Sequence, residues 1–335
     1  MKKYLSTVAA MSAFVAACAS IGNAGATSPK IRSKPQSTPA IRKEPSSPST
    51  RVAPASSYTR TDPRLEFFNA LNSLRIAMGV GALRQDAALD AAAENHLEYM
   101  KLNAVMSHTE IPGTPGFTRS DPYQQVLAVG GSHKQWVGQN AYSGELAGCL
   151  AAMAGSVYHL QGITSNQETI GLAMRDNYCV ANFGVVSAAG TGGYGLAQWG
   201  GQQLPPNTGA YYPVDNASVH GLFIPGGEIP NPAPDLARAG PPIMFRVNVE
   251  KPSDVLTVSN FILRGPGGNS VPARILVPIE SKPGSVASAI EDASLYRGVA
   301  FLLPTQPIAA GTYTATFAGA RNGVAISKSW SFTAY

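Results

Sequence analysis

Apolar positions first recur with helical spacing after Asp62-Pro63, where Leu65, Phe68, Leu71 and Leu74 share one face until Gly79 and Gly81 end the pattern. A second helix is predicted from the cap Asp86 to the neighbourhood of Asn103, with Leu89, Ala92, Ala93, His96 and Met100 as its apolar stripe. Residues 109–135 carry Pro112, Pro115, Pro122 and several glycines, which predicts a long loop interrupted at most by a short helix over 124–129. A further helix is expected over 145–154, stopped by Gly155, then strands over 179–186 and 194–199, with a hairpin loop at 190–195. Helices flanking strands make an α+β layered domain that ends near Gly201.

Residues 207–240 are rich in Pro and Gly, and beyond Pro242 the texture changes to short alternating runs over 244–249, 256–263, 274–278 and 299–302. The last two runs, 313–317 and 324–332, are joined by Asn322-Gly323, which suits the positive φ values of a tight hairpin turn. About seven short strands separated by turns predict an all-β sandwich.

At 335 residues the chain exceeds what one core usually supports, so two domains with flexible segments are expected. Lys2 and Lys3 precede an apolar run over 4–17 that is too short to span a bilayer and has the shape of a secretory signal. Two processing readings compete. Val15-Ala16-Ala17-Cys18 resembles a lipobox, which would place a lipid on Cys18 and anchor the protein to a membrane face; Ala24-Gly25-Ala26 fits ordinary cleavage and a periplasmic or extracellular protein. The lipobox is preferred, giving an outer membrane lipoprotein. The expected organisation is a signal over 1–26 (ending at 17 for a lipoprotein), a disordered Pro/Ser/Thr-rich linker over 27–60, an α+β domain over 61–201, a connector over 202–240 and a β-sandwich over 241–335.

The formal net charge of +5 changes meaning once it is located. Residues 27–60 hold seven basic residues and one acidic, and the leader two lysines, leaving 16 basic against 19 acidic residues from Thr61 onward. The basic excess lies in a spaced linker without interleaved aromatics, which excludes a nucleic-acid partner. With Cys18 removed by cleavage or lipidation, Cys149 and Cys179 form an even count in an exported chain and are expected to pair.

Separated motifs then converge on one family. Asn72-x-x-Arg75-x-x-x-Gly79-Val80-Gly81-x-Leu83, followed by Leu89, Ala92, Ala93, His96, Met100 and Ser107-His108, are joined by Gly138-Gln139-Asn140-Ala141-Tyr142, Ser156-Val157-Tyr158-His159 and Ile170-Gly171-Leu172-Ala173. In order and spacing this set resembles the CAP superfamily (cysteine-rich secretory protein, antigen 5, pathogenesis-related 1; the SCP domain), with Gln139 standing where the family has Glu. His108-Thr109-Glu110 and Pro115-Gly116-Phe117 resemble a bacterial subset of that family. The resemblance implies an α-β-α sandwich over residues 64–200 and a central cavity whose two histidine positions are His108 and His159. It leaves the second family Glu unassigned between Glu145 and Glu110. Trp330-Ser331-Phe332-Thr333 resembles the ending of bacterial Ig-like domains, which implies an Ig-like sandwich at the C-terminus.

The ligand cleft implied by these positions comprises His108, Glu110, Gln139, Tyr158 and His159. Neutral imidazoles suit zinc or another divalent cation, so His108 and His159 are the candidate metal ligands, although an amide at 139 is a poorer ligand than a carboxylate and cannot act as a base. His96 reads as a packed histidine, Tyr158 as a wall of the cavity, and His133 and His220 as exposed loop residues. Ser156 reads as the cap of the short turn that presents His159. There is no Gly-x-Ser-x-Gly elbow, His-Glu-x-x-His helix or phosphate-binding glycine loop.

The leading expectation is an exported, non-enzymatic cell-envelope protein that binds a lipid, peptide or protein in this cleft, with the C-terminal domain displaying it. The alternative is a metal-dependent hydrolase of peptide or ester bonds, with His108 and His159 holding the metal and Glu110 activating water. A third reading makes the domain a scaffold.

Overall fold

Each of the first two helices starts where a side-chain cap frees it from its unpaired amides. In the computed structural model, which describes residues 47–195 and 200–335, α1 spans Pro63–Met78 and Asp62 accepts from the Arg64 amide. Gly79 ends it in the left-handed region at φ 78°, where a Cβ is disfavoured. Helix α2 spans Ala87–Asn103, capped by Asp86, and α3 spans Pro122–Ala128. The expected helix over 145–154 is a 3-10 turn, Leu146–Gly148, running into α4, Cys149–Ala154. Helix α5, Val157–Ile163, follows at once.

These helices pack on a five-stranded sheet in the order Arg84–Gln85, Thr169–Arg175, Tyr178–Val185, Trp136–Ser143, Gly193–Tyr194. Its three long strands are antiparallel neighbours, with Gln139 opposite Asn182 and Gly171 opposite Asn182 on the other side. The Asn72 and Arg75 positions of the first motif hold the turn after α1. Asn72 exchanges two hydrogen bonds with the backbone of Leu83. Arg75, fully buried, donates to the carbonyls of Gly81, Val80, Ile163 and Gln167. Cys149 and Cys179 form a disulfide that ties α4 to the central strand.

The C-terminal part is an all-β sandwich of two five-stranded sheets. One has the order Ile290–Glu291, Ala273–Val277, Val299–Pro304, Ile243–Val247, Gly209–Tyr212; the other Ser270–Val271, Leu256–Arg264, Gly311–Arg321, Val324–Ala334, Ser218–Val219. Asn322 and Gly323 make the expected hairpin turn, at φ 51° and 81°.

Two expected boundaries are corrected. The connector over 202–240 is part of the sandwich, because Gly209–Tyr212 pairs with Ile243–Val247 and Ser218–Val219 with the last strand. The linker over 27–60 does not remain free to its end, since Ser47–Pro48 pairs with Gln202–Gln203 and Tyr58 is buried with its hydroxyl on Asp90. The two expected domains also share one apolar core, in which Leu160 and Ile163 of α5 join Met244 and Phe245 of the sandwich. The described residues belong to one compact unit; the leader, Cys18, most of the linker and the end of the strand expected over 194–199 lie outside them.

Candidate functional site

The loop after α2 and the start of α5 bring His108 and His159 to one cavity of about 170 Å³, lined also by Gln139, Tyr158, Tyr194 and Glu228. The polar groups around the two rings fix their tautomers. Asn182 donates from Nδ2 to the Leu89 carbonyl, so its Oδ1 accepts from Gln139 Nε2 at 2.9 Å. That turns Gln139 Oε1 toward His108 Nδ1, again at 2.9 Å. An amide oxygen only accepts, so His108 carries its proton on Nδ1 and keeps a lone pair on Nε2. Burial holds its imidazole below the usual value of 6.5; the Gln139 bond opposes this and the neighbouring His159 and His96 add to it.

His159 is held in the same sense by a residue that the sequence did not point to. Glu228 is 3% exposed, and its Oε1 lies 2.8 Å from His159 Nδ1. The same carboxylate accepts from the amides of Val157, Tyr158 and His159 at 2.8, 2.9 and 3.0 Å, which are the first amides of α5 and have no partner within the helix. The cap expected of Ser156 is thus supplied by Glu228. Ser156 occupies the cap position without a side-chain cap bond; its hydroxyl donates to the Met153 carbonyl and accepts from His159 Nδ1 at 3.1 Å. No local signal marks Glu228, because it lies 69 residues from His159 in a Pro/Gly-rich stretch.

Four more hydrogen bonds to the sandwich hold α5 and the residue that ends it. Tyr158 donates its hydroxyl to Asp292, and the combination of burial and that carboxylate pushes its pKa up. Gln161 donates to the Ser294 carbonyl and accepts from the Tyr296 amide. The buried Arg246 guanidinium donates to the Thr164 carbonyl at the far end of the helix.

Glu110 is not a cleft residue. It is 3% exposed beneath its own loop, where Oε1 faces His96 Nδ1 at 2.9 Å and Oε2 accepts from the Thr118 amide and hydroxyl and the Arg119 amide. His96, expected as a packed histidine, is fully buried and belongs to this polar cluster, with Nε2 on the Ser107 carbonyl. Glu145 is exposed at the start of the 3-10 turn and does not line the cavity. Tyr158 lines it as expected, and His133 and His220 are exposed.

The residues present fit a metal ion poorly. His108 and His159 each offer Nε2, but the four N–H groups on Glu228 occupy its carboxylate, and Gln139 Oε1 is taken by His108. Among the described residues no group of three or more His, Cys, Asp or Glu is arranged to hold a metal. A closed zinc site takes four ligands and a catalytic one three with water. Nor does a nucleophile approach either Nε2 among the described residues, since Ser156 contacts the other ring nitrogen of His159.

Two larger, mainly apolar clefts of about 640 and 490 Å³ lie along the seam between the helices and the sandwich, sharing Ala151, Tyr212, Ser218 and Val219. The larger also borders His159 and Glu228.

Residues 68–183 match the model of the cysteine-rich secretory protein family, CAP, and the chain carries a CAP domain there. Among solved structures the chain is similar to an outer surface protein from Borrelia burgdorferi, at 21% identity over 36% of this chain and 91% of that one, with a TM-score of 0.32. It is also similar to an extracellular protein containing a SCP domain from Bacillus anthracis str. Ames, at 16% identity over 38% of this chain and 44% of that one, with a TM-score of 0.33. Comparison with curated proteins finds no match.

Proposed function

We propose that this CAP-domain protein is exported to the cell envelope and captures a ligand or partner group between His108 and His159 without chemical turnover. The observation that carries the reading is the pair of imidazoles on one cavity, each with Nδ1 engaged and, among the described residues, with neither a hydrogen-bond partner nor a nucleophile at Nε2. Export is supported by the charged, apolar leader and by a disulfide, which persists in oxidising compartments. Lipidation at Cys18 is part of this reading and would hold the protein at a membrane face.

The hydrolase alternative loses its water-activating group, because Glu110 is sealed against His96 and Thr118. Its test is a zinc titration by calorimetry beside His108→Ala and His159→Ala, together with an ester and peptide panel. The capture reading predicts no saturable zinc binding at micromolar concentrations and no turnover. One-site zinc binding lost in both variants, with hydrolysis that depends on it, overturns the reading in favour of the hydrolase.

A further inference from the structure

We infer that Gln139 and Glu228 act as tautomer-setting residues, which make both cleft histidines hydrogen-bond acceptors, so that the cleft takes an uncharged or cationic group bearing N–H or O–H hydrogens. The inference rests on the capture reading and names the chemistry of what is captured. Glu228 lies outside the family-matched residues 68–183, so this chain completes its cleft with a carboxylate from its C-terminal part.

The argument follows the donors. The Leu89 carbonyl orients Asn182, Asn182 orients the Gln139 amide, and Gln139 leaves His108 one arrangement, Nδ1–H. Glu228, with three backbone amides donating to its oxygens, is an acceptor toward neutral His159 and imposes Nδ1–H there too. With both rings neutral, each presents an Nε2 lone pair as its remaining polar atom. An ammonium or primary amide group can donate to both acceptors and a hydroxyl to one of them; a carboxylate or phosphate meets lone pairs with lone pairs and also the Glu228 charge. The phenol of Tyr194, on the same cavity, rotates to donate or accept and so does not reverse this preference. The cavity's volume of about 170 Å³ suits a functional group of a ligand rather than a whole ligand of drug size.

The chain has five histidines, so ¹⁵N-imidazole spectra above pH 8 are assignable by single substitutions of His108, His133, His159 and His220. In the full mature protein, His108 and His159 are expected as Nδ1–H tautomers, the minor form of a free histidine side chain in water. In Glu228→Ala, where the 3.1 Å Ser156 contact alone remains, His159 becomes a tautomer mixture while His108 is unchanged. In Glu228→Gln the amide oxygen restores the acceptor and the single tautomer returns. Titration with n-propanol, n-propylammonium and propionate reads the preference directly: n-propylammonium shifts both Nε2 resonances saturably, n-propanol shifts at least one of them, and propionate shifts neither.

An Nε2–H tautomer in the parent protein overturns the inference, as does an unchanged His159 spectrum in folded Glu228→Ala. Should Glu228→Ala not fold, the parent and Glu228→Gln spectra decide the tautomers. Propionate binding as well as the two donors overturns the preference. Turnover in the ester panel, by contrast, would remove the capture reading while leaving the tautomer result standing.

Discussion

Gln139 shows how a departure from a family pattern makes sense only against its neighbour. Its Nε2 meets Asn182 Oδ1, and Asn182 is fully buried with its Nδ2 committed to Leu89. A carboxylate there would face an oxygen, and Asn182 could turn only by abandoning the Leu89 carbonyl. Gln139→Glu is therefore expected to destabilise the fold by about 1–3 kcal/mol, the scale of a buried polar group left without its partner. Urea unfolding checks this; equal or greater stability would contradict it. His108 gives a pH dependence. Its folded imidazole titrates below 6.5, so the folded state binds fewer protons than the unfolded chain in that interval. The contribution is fully present above pH 6.5 and is lost as pH falls through the lowered folded value. Thermal unfolding from pH 8 to 5 should therefore decline more steeply for the parent than for His108→Asn, and parallel curves would contradict the assignment. The motif spacing points to His108 and His159 together, and both line one cavity. It misplaces Glu110, two positions from His108, because loop spacing does not reveal that the chain turns this carboxylate under Thr118 toward α2.

Among elements, α1 and α2 were legible almost to the residue, because caps, periodicity and left-handed stops agree. Strands Trp136–Ser143 and Thr169–Arg175 were not read as strands: the second is buried along nearly its whole length and lacks the alternation that marks a half-exposed strand. Helix α5 has seven residues, too few to be stable alone, and its N-terminal amides, middle and C-terminal carbonyls are all held by groups distant in sequence. Helix α4 is shorter still and depends on Cys149 for its tie to the sheet. The disulfide closes a separation of 30 residues, so Cys149→Ala with Cys179→Ala is expected to cost about 3–4 kcal/mol on the chain-entropy model. Calorimetry of the double variant checks it, and an unchanged Tm would show that packing alone secures α4.

At the scale of the molecule, the C-terminal part supplies Glu228 to the cavity that His108 and His159 line. The expectation of two domains joined by a connector failed for a physical reason: composition shows where Pro and Gly lie, but not that the strands among them complete two sheets or that Glu228 reaches α5. One continuous core and the polar contacts of Tyr158, Gln161 and Thr164 then join what the sequence texture separates. The most direct test is amide hydrogen exchange in the parent protein and in Glu228→Ala. The Val157, Tyr158 and His159 amides have Glu228 as their hydrogen-bond acceptor. They should be protected in the parent and exchange rapidly in the variant, while the amides of strand Tyr178–Val185 stay protected. Unchanged protection of the three amides, or a uniform loss across the sheet, would contradict the account in which the C-terminal part completes the histidine cleft.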